Sequence, residues 1–281
     1  MKWGNCMKHA GRVLMLMLAG LIACTSHKAA RALTLSLVHP DDPAKKVEYF
    51  LEKPSGVGPW PTMVFLHGHQ QWPRAGGYDF VKWGVLDQFA KRGYLAVAVS
   101  QPGYGSSTGP ADFCGPFTQH AVAAVIAKLR SDGYVLDNRI LIEGISRGAL
   151  VAGLVAAHDP SIRGIVLISG LYDLPSYARA ALSPMSLSVV YSMKAETGGR
   201  EDALKARSLL YLARSLKAQT LVLNGAKDDR TDSDQSRRLA DTINASGGHA
   251  RAILYPQYGH HIPVEVRNKD VEPFIQQILN Q

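Results

Sequence analysis

Six short stretches of this chain, residues 62–66, 95–99, 140–142, 165–168, 221–223 and 252–254, are apolar almost without a break. A strand with one wet face alternates polar and apolar side chains. A strand apolar at nearly every position has both faces covered, as in a parallel sheet. Between the runs lie helical spacings. Phe80, Trp83, Leu86, Phe89 and Ala90 share one face of a predicted helix that ends at Lys91-Arg92-Gly93. Ala121, Ala124, Val125 and Leu129 do the same before Asp132-Gly133, and residues 149–158, 233–245 and 264–279 read as further helices. Strand alternating with helix predicts an α/β fold, a mostly parallel, doubly wound sheet with helices on both faces. Leu33–Leu37, which alternates, and Val47–Leu51 form an antiparallel edge.

Between Leu171 and Ala218 the rhythm stops: Pro175, Pro184 and Gly198-Gly199 interrupt helical pieces and no strand is predicted. This is a small helical insertion at about 172–216, before the strand at 221–223. It is either a lid over the C-terminal edge of the sheet or a helix pair that pads it. A chain of 281 residues with 46% hydrophobic and 19% charged side chains suits one such domain with a large core.

The first residues have another character. Lys2, Lys8 and Arg12 lead into the apolar run Val13–Ala23, shorter than the roughly 20 residues a bilayer-spanning helix needs. That is the pattern of a secretory signal. The run closes on Leu21-Ile22-Ala23-Cys24, which resembles the bacterial lipobox, whose cysteine is lipidated after cleavage. The expected organisation is a signal peptide over 1–23, a tether over 24–32 bearing lipid on Cys24, and one domain over 33–281. Cleavage after Ala30 or Ala32 is the alternative. The lipobox implies an exported, periplasm-facing protein held to a membrane through Cys24, and Thr25 after it points to the outer membrane. Cys6 leaves with the leader, so Cys114 is the remaining thiol; it is read as a buried filler, outside any disulfide. Removing the leader also takes the formal charge from +8 to +5, with 28 basic against 23 acidic residues. These charges are scattered, which argues against a nucleic-acid partner.

The chemistry gathers on the turn Gly144-Ile145-Ser146-Arg147-Gly148, between the buried strand Ile140–Ile142 and a small-residue helix. A serine at the apex of such a turn adopts a strained backbone, and its neighbours must be small. Serine alone is a weak nucleophile and needs a base oriented by an acid. Two later loops offer them: Asn224-Gly225-Ala226-Lys227-Asp228-Asp229-Arg230, and Pro256-Gln257-Tyr258-Gly259-His260-His261. Both follow strands, so both emerge at the sheet edge that carries Ser146.

These motifs together resemble the catalytic domain of the prolyl oligopeptidase family and its esterase relatives, members of the α/β-hydrolases, over most of residues 45–279. The resemblance implies Ser146 as nucleophile, Asp228 as acid and His260 as base; Asp229, Asp173 and His261 are the alternatives. It places the oxyanion donors at the N–H groups of Arg147 and of His69, in the loop Leu66-His67-Gly68-His69, with His67 bracing that loop from beneath. Arg230 falls where family peptidases set an arginine against a peptide carbonyl. His67, His69, His260 and His261 lack the spacing of a zinc site, so no metal or other cofactor is implied. Gln101-Pro102-Gly103-Tyr104-Gly105-Ser106-Ser107 lacks the lysine of a phosphate-binding loop and is read as a pocket wall. The expected function is a serine hydrolase acting on a small-molecule ester or a short peptide. With no propeller or other large domain to select peptides, esters are favoured. A non-catalytic lipoprotein using the scaffold for binding is the remaining alternative.

Overall fold

The computed structural model describes residues 32–180 and 183–280. The leader, Cys24 and the tether up to residue 31 lie outside them. Eight strands form one sheet in the order β1-β2-β4-β3-β5-β6-β7-β8. The edge hairpin, β1 (Leu33–His39) and β2 (Asp42–Glu52), is antiparallel, and β2 is antiparallel to β4 (Leu95–Val99). The others, β3 (Trp60–Leu66), β5 (Val135–Ile145), β6 (Ile162–Ile168), β7 (Gln219–Gly225) and β8 (Ala250–Tyr255), run parallel to β4.

The unbroken apolar runs follow from this layering. Val64, Val97, Ile142 and Leu167 face one core, while Met63, Ala96, Leu141 and Val166 face the other. The first core lies under α3 (Pro116–Ser131), α4 (Arg147–His158) and α9 (Ser233–Ala245); the second lies under α1 (Tyr78–Lys82), α2 (Val85–Lys91) and α10 (Val264–Leu279). The chain steps from β3 to β4 on one side and then returns to β5 on the other. Such a reversal opens a crevice at the carboxyl ends of the strands, and the loop after β3 and the turn after β5 both lie there.

One predicted helix is two. The face drawn through Phe80, Trp83, Leu86 and Phe89 breaks at Gly84, which takes φ +71°. Trp83 stays beside Phe80, their ring centroids 5.8 Å apart, but is 57% exposed where Phe80, Leu86 and Phe89 are buried. Among the described residues between β6 and β7 there is no strand: α5 (Leu174–Arg179), α6 (Pro184–Thr197), α7 (Glu201–Ala206), α8 (Leu209–Leu212) and a 3-10 turn at Ala213–Ser215 lie there. Among the described residues no helix is long and apolar enough to cross a membrane.

Backbone packs directly on backbone where β5 turns into α4. A Cβ on Gly148 would lie 2.2 Å from the Leu66 carbonyl oxygen and 2.6 Å from that of His67. Neither atom belongs to a side chain that can swing away. Gly148→Ala is therefore expected to cost about 1–3 kcal/mol, the range for overpacking a filled core. Thermal denaturation should show a melting midpoint several degrees below wild type; an unchanged midpoint would show that the turn has room to spare.

Candidate active site

Ser146 sits at φ +54°, ψ −117°, outside the regions open to an ordinary L-residue and costing on the order of 1–3 kcal/mol. Its surroundings hold it there. Its N–H donates to the Ile168 carbonyl (2.7 Å), and its own carbonyl accepts from Ala149 (3.0 Å) as α4 begins. Gly144 is required as much as Gly148, because a Cβ there would meet the Gly148 carbonyl oxygen at 2.2 Å. The side chain is left facing the crevice.

The loops after β7 and β8 converge on it. His260 Nε2 lies 3.1 Å from Ser146 Oγ, and His260 Nδ1 lies 2.9 Å from Asp228 Oδ2 and 3.2 Å from Oδ1. Asp228 has only acceptors to offer, so Nδ1 carries the ring proton and donates it, leaving Nε2 to accept from the serine. The Asp228 side chain is fully buried. It accepts from the backbone N–H groups of Arg230 (2.9 Å) and Thr231 (3.0 Å), from the Thr231 hydroxyl (2.7 Å) and from Asn224 Nδ2 (3.1 Å). Burial works to raise its carboxyl, but the hydrogen bond and charge of His260 and the bonds from Thr231 outweigh it and hold it below the usual range. The two loops are sewn together: Lys227 N–H donates to the Tyr258 carbonyl (2.9 Å), and a Cβ on Gly225 would touch the Gly259 oxygen at 2.1 Å.

The loop after β3 closes the other side. His67 is buried; its Nε2 accepts the Gln101 N–H (3.0 Å), so Nδ1 donates to the Gly68 carbonyl (2.8 Å). It supports the loop from below through both ring nitrogens. Gly68 packs against the turn, where a Cβ would come within 3.2 Å of Ser146 Cβ. His69 follows, its Nδ1 bonded to the buried Tyr104 hydroxyl (3.0 Å); burial, with the Arg147 and Arg74 charges, lowers its imidazole below the ordinary range. Tyr104 comes from the glycine-rich loop after β4, so that loop supports the site from within and its Gly103 and Gly105 border a shallow neighbouring hollow. The N–H of Arg147, the first residue of α4, has no carbonyl to meet inside its own helix.

A cavity of about 520 Å³ opens over Ser146, with Phe80, Trp83, Phe113, Leu150, Met185 and Val189 among its walls and Arg230 in its lining. Arg230 is exposed, and among the described residues its guanidinium makes no ion pair. The alternatives lie elsewhere. Asp229 offers its backbone carbonyl to Ser183 and Ser186, Asp173 is tied to Arg238 (3.0 Å), and His261 is exposed. Cys114 is fully buried, and burial pushes its thiol up to about 12. Among the described residues no group of three His, Cys, Asp or Glu side chains could hold a metal ion.

Two features escape sequence reading. Ser169, past the end of β6, is buried at φ +51° and donates its hydroxyl to the His260 carbonyl (2.9 Å). The Arg147 side chain folds away from solvent onto Glu196 of α6, 49 residues along the chain. No local pattern announces either contact.

The fold and this site are those of an α/β-hydrolase of the serine-hydrolase class. A model of the prolyl oligopeptidase family matches residues 117–280, more than half of the chain, and the chain belongs to that family. A model of the X-Pro dipeptidyl-peptidase (S15) family matches residues 30–182. The uncharacterized peptidase YtmA of Bacillus subtilis (strain 168) is 23% identical over 84% of this chain and 90% of its own length. The uncharacterized protein F37A4.1 of Caenorhabditis elegans is 26% identical over 60% of this chain, which spans only 34% of the worm protein. Among solved structures, Pyrococcus horikoshii acylaminoacyl peptidase is similar with a TM-score of 0.72 at 19% identity, over 89% of this chain and 42% of that one. The Pyrococcus furiosus esterase Pf2001 is similar with a TM-score of 0.63 at 16% identity, over 89% of this chain and 90% of that one. At these identities the structures speak for the fold.

The buried His67 has a measurable consequence. Burial lowers its imidazole from 6.5 to about 4. The unfolded chain takes up a proton as pH drops through 6.5, whereas the folded state resists until about 4. Stability is thus lost as pH falls across that window, by roughly 3 kcal/mol. Urea denaturation of wild type against His67→Gln should show a difference in pH slope confined to that window. Parallel slopes would contradict a neutral buried ring.

Proposed function

We propose that the protein hydrolyses carboxylic esters through an acyl-enzyme on Ser146. The observation that carries this reading is the hydrogen-bonded series Asp228–His260–Ser146, with Nε2 free to accept the serine proton at 3.1 Å. His260 acts as general base, then returns the proton to the leaving alkoxide; Asp228 keeps the ring in the tautomer that permits both transfers. Water, activated by the same His260, then attacks the acyl-enzyme and regenerates the serine. The oxyanion of each tetrahedral intermediate is received by the N–H groups of Arg147 and His69. Such donors act by being fixed in place before charge develops.

The ester reading is supported by the apolar part of the cavity wall, Phe80, Trp83, Phe113, Leu150, Met185 and Val189, which suits an acyl chain. Chain length does not separate the two readings, since a peptidase relative and an esterase structure are both matched over 90% of their own length. A second reading, cleavage of short peptides, is favoured by one specific observation: Arg230 lines the cavity and, among the described residues, makes no ion pair, so its guanidinium is available to a peptide carbonyl. The two separate on rates. A fluorophosphonate probe should label wild type and leave Ser146→Ala unlabelled, with kcat/KM for p-nitrophenyl butyrate falling about 10⁴-fold or more in that variant. Between an unactivated ethyl ester and a peptidyl amide that share one acyl group, wild type should turn over only the ester at an appreciable rate. Labelling that persists without Ser146 removes the proposal, and cleavage of the peptidyl amide at a rate comparable to the ethyl ester replaces the ester reading with the peptide one.

A further inference from the structure

The insertion touches the site at both of its working ends, and α6 makes most of the contacts. At its start, the Ser183 and Ser186 hydroxyls both donate to the Asp229 carbonyl, Ser186 at 2.7 Å. The Tyr177 hydroxyl of α5 donates to the next carbonyl, that of Arg230. These two peptides directly follow Asp228. At the far end of α6, Glu196 takes the Arg147 guanidinium in a two-pronged pair, with Nη1 at 3.0 Å from Oε1, and Oε2 also accepts the Phe113 N–H at 2.7 Å. Arg147 directly follows Ser146. Between these anchors α6 lays Met185, Ser188, Val189 and Ser192 along the cavity.

The charges argue that the far anchor is a built feature. Arg147 is a cation in the first turn of α4, and Glu196 is an anion in the last turn of α6. Each stands at the helix end whose dipole opposes it. Neither is explained by its own helix; each is explained by the other. The pair is also withdrawn from water, with the Arg147 side chain 5% and the Glu196 side chain 17% exposed, and the guanidinium lies 5.0 Å from the Phe113 ring centroid. Exposed ion pairs contribute little, but removing one partner of a buried pair strands the other charge. A lid that opened along α6 would have to break both anchors and leave Arg147 unpaired in an apolar wall.

Resting on the acyl-transfer reading of Ser146, we propose that α6 is a fixed strut and that Glu196, Ser183 and Ser186 are positioning residues. Glu196 holds Arg147, and with it the backbone N–H aimed at the oxyanion; the two serines hold the peptide that follows Asp228. The strut sets the separation between the nucleophile turn and the acid loop. A displacement of about 1 Å at a reacting centre can cost on the order of 10²-fold in rate.

The test compares Glu196→Gln and the double variant Ser183→Ala/Ser186→Ala with wild type, each assayed where circular dichroism shows it fully folded. Both should lose about 10- to 100-fold in kcat on p-nitrophenyl butyrate with KM within about twofold. Glu196→Gln should weaken binding of a trifluoromethyl ketone, which forms the tetrahedral adduct, by a similar factor. A merely structural role would lower the melting midpoint and leave kcat and ketone affinity at wild-type values in the folded variants; that result overturns the strut. If Glu196→Gln does not fold, the serine pair decides alone. Should wild type itself resist the fluorophosphonate probe, the acyl-transfer reading fails. The strut is then judged by amide hydrogen exchange at 144–150 and 226–231, where faster exchange in the variants supports it and unchanged exchange overturns it.

Discussion

Backbone packed on backbone at the end of β5 is the constraint on which the site rests. Ser146 is held at φ +54° because Gly144 and Gly148 let the turn close upon itself and upon the Leu66 and His67 carbonyls. The same closeness brings Gly68 against Ser146 Cβ. The nucleophile turn and the loop after β3 are therefore one packed unit, not two loops that happen to be near. The strain at the serine is small beside the burial of β3, β5 and β6 around it, where a fully buried Leu or Ile contributes roughly 1.5–3 kcal/mol.

The opposite wall is held by polar bonds. Asp228 is a buried carboxylate, which is expensive unless its lone pairs are used, and four donor groups on three residues, Asn224, Arg230 and Thr231, use them besides His260. Those donors come from its own loop and from the end of β7 that precedes it, so the acid is oriented before any substrate arrives. His260 is then fixed from two directions, by Asp228 at its ring and by Ser169 at its carbonyl. The crevice has a packed side that strains the serine and a hydrogen-bonded side that aims the imidazole, with α6 reaching across from one to the other.

Much of this architecture is legible in the residues because it depends on local chemistry. A strand covered on both faces must be apolar throughout, so β3 to β7 can be read directly, whereas β8, apolar at 252–254, is an edge strand with no buried residue. The helices at 233–245 and 264–279 follow from their spacing. Glycines flanking a serine between strand and helix mark the turn for the same reason. What fails is what depends on distance along the chain. The face drawn through Phe80, Trp83, Leu86 and Phe89 assumes an unbroken helix, and one left-handed glycine, Gly84, separates the first two from the last two, leaving Trp83 half-exposed at the cavity. Ser169 reaches a carbonyl 91 residues away, and Glu196 reaches a guanidinium 49 residues away. A lone serine or glutamate in a sequence carries no sign of such a partner. Whether the insertion is lid or padding is open in the residues alone; the contacts of α6 point to neither, since it braces both walls.

The central claim is that Ser146 carries the acyl group between the two half-reactions. Rapid acid quench during turnover of a slowly deacylating ester, followed by peptide mapping by mass spectrometry, reads this directly. The account predicts the mass of the acyl group on the peptide containing Ser146, appearing before steady state and absent from Ser146→Ala. Continued ester turnover with no adduct on that peptide, or an adduct carried by another side chain, would contradict it.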